Sequence, residues 1–173
     1  MERVCIFIDG SNFYYGLKYN FGRTNIDFFK LSEKLCRDRK LIRTYYYNAP
    51  RNKEDDEEKY KAQQRFFDAL QKTRYLELKL GRLEKRDGSL VEKGVDINLA
   101  VDMLRFAFQD IYDVAILISG DGDFASAVNA VKDLGKQVET VQFRSGSSYQ
   151  LRNVCDVITY LSEEFLRDCF KPQ

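Results

Sequence analysis

Histidine is absent from this 173-residue chain. That absence excludes Ser-His-Asp and Cys-His catalysis, RNA cleavage by histidine, and zinc sites built on imidazole. Hydrolytic chemistry here must rest on carboxylates, lysine, tyrosine or a metal held by oxygen. Cysteine is sparse: Cys5, Cys36, Cys155 and Cys169 form no C-x-x-C pair. With no signal-peptide pattern after Met1, they read as reduced thiols, and the expected location is the cytoplasm. No apolar run approaches the roughly 20 residues of a membrane span, so no membrane partner is expected. An excess of either charge is also missing, with 28 basic residues against 27 acidic ones and a net charge of +1. This argues against a strongly basic nucleic-acid coat and leaves local patches open. There is no G-x-x-x-x-G-K-[ST] phosphate loop, no internal repeat and no proline- or serine-rich linker.

What remains is a globular composition, 44% hydrophobic and 32% charged, in a length that fits one domain over 1–173. Apolar β-rich runs at Val4–Ile8, Leu41–Tyr47, Tyr75–Leu80, Val114–Ser119, Gln137–Phe143 and Val157–Tyr160 alternate with helical patterns. The helices are expected at Asn12–Tyr19, Phe28–Arg37 (capped by Asp27), Asp55–Lys72, Asp96–Phe108, Phe124–Leu134 (ended by Gly135) and Glu163–Phe170. Several strands are unbroken apolar runs, as a parallel sheet covered on both faces requires. The alternation predicts a three-layer α/β/α sandwich with a central, mainly parallel sheet. Glu84–Gly94 breaks the rhythm, and its Asp87-Gly88 reads as a hairpin or loop tip.

Two strands end in carboxylates. Val4–Ile8 runs directly into Asp9, and Val114–Ser119 is followed by Asp121 and Asp123. In parallel α/β sheets, ligands collect outside the carboxyl ends of the strands. If the two strands are neighbours, three acids converge at one rim, and Asp96, at a helix start, is a fourth candidate. Two such charges ~4 Å apart repel by roughly 4 kcal/mol at an effective dielectric near 20. An all-oxygen set of this kind selects Mg²⁺ or Mn²⁺, which favours phosphoryl transfer with water as the nucleophile. Each aspartate also has a plainer reading as a helix cap. Asp102 lies six residues after Asp96 and so on a different helix face, where a structural role is expected. Gly120–Ala125 matches G-x-G-x-x-A, but Asp121 and Asp123 would repel a pyrophosphate, so a dinucleotide site is rejected.

The stretches VCIFIDGSNFYYGL, EKGVDINLAVDML and VAILISGDGDFASAVNAVKDLGKQVETV together resemble the motif blocks of the NYN domain, the LabA-like branch of the PIN-like nuclease superfamily. The resemblance implies a PIN-like fold and a metal-dependent ribonuclease site. Asp9, Asp96, Asp121 and Asp123 match its acidic cluster, Asn12 and Ser119 match polar residues beside it, and Lys93 matches the lysine before the helix acid. On that reading Asp9, Asp96 and Asp121 are Mg²⁺ or Mn²⁺ ligands, and Asp123 completes the site or orients the water. Asn12 orients Asp9 or meets a phosphate oxygen, and Lys93 neutralises phosphate charge. Tyr14, Tyr15, Arg51, Lys53, Arg82, Lys85, Arg86 and Arg144 are candidates for a basic, aromatic track along the same rim. The expected partner is RNA, chiefly single-stranded, with DNA as the alternative polymer; a homodimer is compatible with the sequence. The alternative function is a non-catalytic nucleic-acid-binding or regulatory module that retains the acidic pocket.

Overall fold

A computed structural model describes residues 1–173. Six strands form one sheet in the order β3-β2-β1-β6-β7-β8, comprising β1 (Arg3–Asp9), β2 (Lys40–Asn48), β3 (Leu76–Leu80), β6 (Val114–Ile118), β7 (Gln137–Gln142) and β8 (Val157–Tyr160). Every neighbouring pair is parallel. The remaining strands, β4 (Arg82–Arg86) and β5 (Ser89–Lys93), make a separate antiparallel hairpin.

Alternation along the central strands explains why they read as continuous apolar runs. Val4, Ile6 and Ile8 face one layer with Phe13 and Leu17 of α1 (Gly10–Phe21), Leu31 of α2 (Phe28–Cys36) and Phe67 of α3 (Glu57–Gln71). Cys5 and Phe7 face the other, with Leu99 and Met103 of α4 (Val95–Phe108), Val128 of α5 (Ala125–Asp133) and Leu151 of α6 (Tyr149–Val154). A strand covered on both faces has no polar side to offer. The same parity sends Asp9 and Ser119 toward the α4 and α5 layer.

The helix signals hold in detail. Asp27 caps α2 by accepting the Lys30 amide, and Gly135 follows α5 with φ +81°. Asp87 and Gly88 turn the hairpin with positive φ at both positions, as a tight two-residue loop requires. Two elements depart from expectation. α7 spans only Glu163–Leu166, and the chain then turns so that Phe170 bridges to Ile26. The short helix α6 has no long apolar repeat to announce it. It starts where Ser148 accepts the Leu151 amide.

The sequence order turns back between β1 and β6, since β2 and β3 lie to one side of β1 while β7 and β8 lie beyond β6. Such a switch point opens a crevice at the carboxyl ends of the two strands. α1 begins there with no connecting loop after β1. A Cβ on Gly10 would stand 2.5 Å from the Tyr47 carbonyl oxygen and 2.6 Å from the Tyr46 ring. Gly10→Ala should therefore cost about 1–3 kcal/mol of stability, a drop in melting temperature of about 2–12 °C for a chain of this size. Thermal denaturation followed by circular dichroism measures it.

Candidate metal centre

Asp9 is the last residue of β1 and is only 6% exposed. It occupies the N-cap position of α1 but makes no capping hydrogen bond. Its Oδ2 instead accepts the Ser119 hydroxyl, at 3.0 Å. The Ser119 oxygen in turn accepts the Asp121 amide, at 3.1 Å. One hydroxyl thus ties the end of β1 to the start of the loop after β6. Asp121 turns that loop by accepting the Asp123 amide, at 2.9 Å. Asp96 enters from the first turn of α4, whose N-cap is Gly94, so it is not itself the cap. Carboxylate oxygens of Asp9, Asp96 and Asp121 all lie within 4.8 Å of one another.

No lysine or arginine forms an ion pair with any of the three. The electrostatics reflect this. Burial pushes the Asp9 pKa up to about 6, the Ser119 hydrogen bond opposes the shift, and the charges of Asp96 and Asp121 add to it. Asp96 is raised by partial burial and then by Asp121 and Asp123. Three oxygen donors, mutually repelling and unpaired, fit a hard divalent cation.

The other residues singled out in the sequence divide into two groups. Asn12 belongs to the site: its Oδ1 accepts the Gly120 amide, at 3.0 Å, pinning the loop that carries Asp121. Asp123 is exposed and lies outside the triad, near enough to act on Asp96 through its charge. Lys93 pairs with Arg82 across the hairpin, is half-buried on the hairpin face opposite Glu92, and is not among the residues lining the acid crevice. Arg51 lines a neighbouring cavity, and Arg144 stacks over the Tyr160 ring at 4.4 Å, so neither reaches the triad. Asp102 is buried on another face of α4, where it accepts the Tyr47 hydroxyl at 2.8 Å and pairs with Arg105 at 2.7 Å.

Glu92 is the residue that the sequence reading passed over. It lines the crevice beside Asp96 and Asp121. Partial burial of its carboxyl end and the charge of Asp96 raise its pKa, against the pull of Arg51. Counting alternate positions back from the Asp87-Gly88 tip finds it: Glu92 shares a face with Leu90 and Leu83, the face turned toward the body.

The NYN domain family matches residues 3–162. The chain belongs to the NYN family. Within it the chain sits in the LabA-like branch, being 27% identical over 164 residues to the low amplitude and bright protein LabA of Synechococcus elongatus, across 90% of this chain and 81% of LabA. An uncharacterised protein of Methanocaldococcus jannaschii is 32% identical over 74 residues, 43% of this chain and 31% of that protein. The matched segment thus spans about a third of the archaeal relative's length. In fold, the chain matches a Vibrio parahaemolyticus protein of unknown function, with a TM-score of 0.77 and 23% identity over 95% of each chain. NYN domains belong to the PIN-like nuclease superfamily, whose nucleases generally use divalent metals, and the acidic triad of this NYN chain fits that chemistry. No helix is long and apolar enough to cross a membrane.

The metal-free NYN domain should show the strain in its pH dependence. Asp9 has a pKa of about 6 when folded, against ~3.9 in an unfolded chain. The native state then holds this proton more tightly, so stability is highest below the unfolded value and is lost as pH rises through about 6. The loss by neutral pH is on the order of 2–3 kcal/mol. Melting temperatures in chelator should fall across that window, and Asp9→Asn should flatten the fall and melt above wild type at neutral pH.

Proposed function

We propose that this NYN domain, taken as one catalytic unit over 1–173, is a metal-dependent ribonuclease. It hydrolyses phosphodiester bonds of single-stranded RNA in the cytoplasm. The observation that carries the reading is the uncompensated triad of Asp9, Asp96 and Asp121, with oxygens within 4.8 Å at the switch point of the sheet. These three residues would hold Mg²⁺ or Mn²⁺. When bound, such an ion supplies Lewis acidity toward phosphate and lowers the pKa of water.

The protein's own contribution is placement. Asp9 sits on a strand buried on both faces, so its position is set by the core rather than by a loop. The Ser119 hydroxyl keeps the Asp9 carboxylate turned toward Asp121 and restrains the loop through the Asp121 amide. Asn12 restrains Gly120, the residue before Asp121 in that loop. Asp96 arrives on a helix whose buried side is locked into the core by Leu99 and Met103. Asp123, exposed beside the triad, can take a hydrogen bond from an approaching water. Glu92 adds a carboxylate at the mouth of the crevice and, with Arg51 acting on it, forms a boundary of mixed charge for the substrate backbone.

Purified protein incubated with end-labelled single-stranded RNA should cleave it in Mg²⁺ or Mn²⁺ and stop in EDTA. Asp121→Asn should reduce the rate by at least about a hundredfold, on the scale expected for removal of a group that stabilises transition-state charge. It should also reduce the Mn²⁺-induced rise in melting temperature. Lys93→Ala should leave cleavage within a few-fold of wild type, because Lys93 does not line the crevice that holds the acids. DNA cut as fast as RNA would move the substrate assignment. Metal-dependent stabilisation without cleavage of either polymer would instead favour a binding module.

A further inference from the structure

We propose that the groove beside the acids is a subsite for one unpaired nucleobase, with Tyr15 as its stacking platform. The inference rests on the nuclease reading and adds how the strand is seated. A cavity of about 690 Å³ lies between α1, α3 and the β4–β5 hairpin, large enough for a nucleotide. It is continuous with the acid crevice, since Ser11, Tyr15 and Glu92 line both. Its apolar surface comes from Tyr14, Tyr15, Phe66, Leu83 and Leu90. Tyr15 is 55% exposed, and the Tyr14 ring stands edge-on to it at 5.2 Å. A large ring held in place at the junction of the two cavities, yet left in water, has no packing reason to be there.

Part of the polar lining of the groove is spent on the chain itself. Gln63 accepts the Arg51 amide and donates to the Ala49 carbonyl. Asn48 and Asn52 accept the amides of Ala49 and Glu54. Lys18 and Arg51 also line the groove and suit the phosphate of the strand, while Tyr15 offers its ring to the base; stacking is available to any base that is free of a duplex.

The test is fluorescence anisotropy in Mg²⁺ with labelled, cleavage-resistant phosphorothioate RNA. Tyr15→Ala should weaken single-stranded binding about tenfold, within the range for loss of one base stack, while Tyr15→Phe binds like wild type. Duplex binding should not change. In a series of RNAs with one abasic position, one position should mimic Tyr15→Ala in wild type and add nothing to it in the variant. Equal losses on every RNA, no loss, or no binding of single strands by wild type would each overturn the subsite. Binding that follows this pattern without any cleavage by the native enzyme would sink the nuclease reading and leave the subsite standing.

A second inference rests on α4 and on no catalytic assumption. We propose that its outer face is the two-fold interface of a homodimer. Of the six exposed positions from Ile97 to Phe108, four are large and apolar: Ile97 is 69% exposed, Val101 53%, Leu104 39% and Phe108 79%. Asn98 and Arg105 are the other two. A solvent-facing helix surface is ordinarily polar. Contiguous apolar surface of this kind on a monomer is often functional.

The spacing selects the occupant. Steps of four, three and four make a helix-packing seam, and the stripe reads the same in both directions. In an antiparallel two-fold, Ile97 of one copy meets Phe108 of the other, and Val101 meets Leu104. Arg105 falls opposite Ala100, so no like charges collide. A membrane-surface helix would carry several basic residues around its apolar face, and this one has a single arginine.

Light scattering coupled to size exclusion should show a dimer. The Val101→Glu/Leu104→Glu variant should be a monomer with unchanged circular dichroism and an unchanged Mn²⁺-induced rise in melting temperature. When Val101→Cys and Leu104→Cys proteins are mixed and oxidised, mixed disulfides should outnumber those within either variant. A monomeric wild type, a variant that remains dimeric, or cross-links that prefer identical positions would overturn the proposal.

Discussion

Three carboxylates that repel one another must be held together at the end of a sheet, and the small hydroxyl of Ser119 is the group that holds two of them. Its proton goes to Asp9 and its oxygen receives the Asp121 amide. A larger or apolar side chain at this buried position could not serve both. The hydrogen bond also moderates what burial does to Asp9, because it favours the charged form in a place where desolvation opposes it. The site is therefore a compromise. It is buried enough to be rigid and polar enough to stay ionised once a cation arrives.

That compromise depends on the sheet. β1 and β6 are adjacent although 110 residues separate Asp9 from Ser119, and both strands are buried on two faces. A hydrophobic run on each side of the strand is what lets an unfavourable residue sit at its tip without pulling the strand out of place. The cost of crowding charge is thus carried by packing elsewhere, with Val4 through Ile8 all fully buried. The loopless start of α1 makes the same point at closer range, since Gly10 is tolerated there only because nothing larger fits beneath Tyr46 and Tyr47.

α4 joins several functions in one element. Its first turn brings Asp96 to the metal centre, and its inner face packs Leu99 and Met103 into the core. Asp102 anchors it to β2 through the Tyr47 hydroxyl. That phenol is held protonated by burial and by the neighbouring carboxylate. Its outer face is apolar where water would favour charge. The β4–β5 hairpin, inserted between β3 and this helix, walls the groove beside the acids, with Glu92 on the face that lines the groove and Lys93 on the other. Two adjacent residues of one motif thus face opposite ways.

The strands, most helices, the hairpin tip and the acids at strand ends were legible in the sequence, because burial on both faces and turn chemistry leave local patterns. The absence of histidine, together with four cysteines that form no C-x-x-C pair, pointed any metal site toward oxygen ligands. α6 and the early end of α7 were not legible, since one turn of helix has too few residues for a periodicity and depends on a single cap or a long-range bridge. Nor was it visible that Asp123 stays outside the triad, or that Glu92 rather than Lys93 lines the crevice. Those outcomes depend on how the loop after β6 turns and on which face of the hairpin meets the body. Residue types and their spacing determine which groups are available to a site. Which of them share a few ångströms is decided only when strands distant in sequence become neighbours, since distances between side chains are set by packing and not by order along the chain.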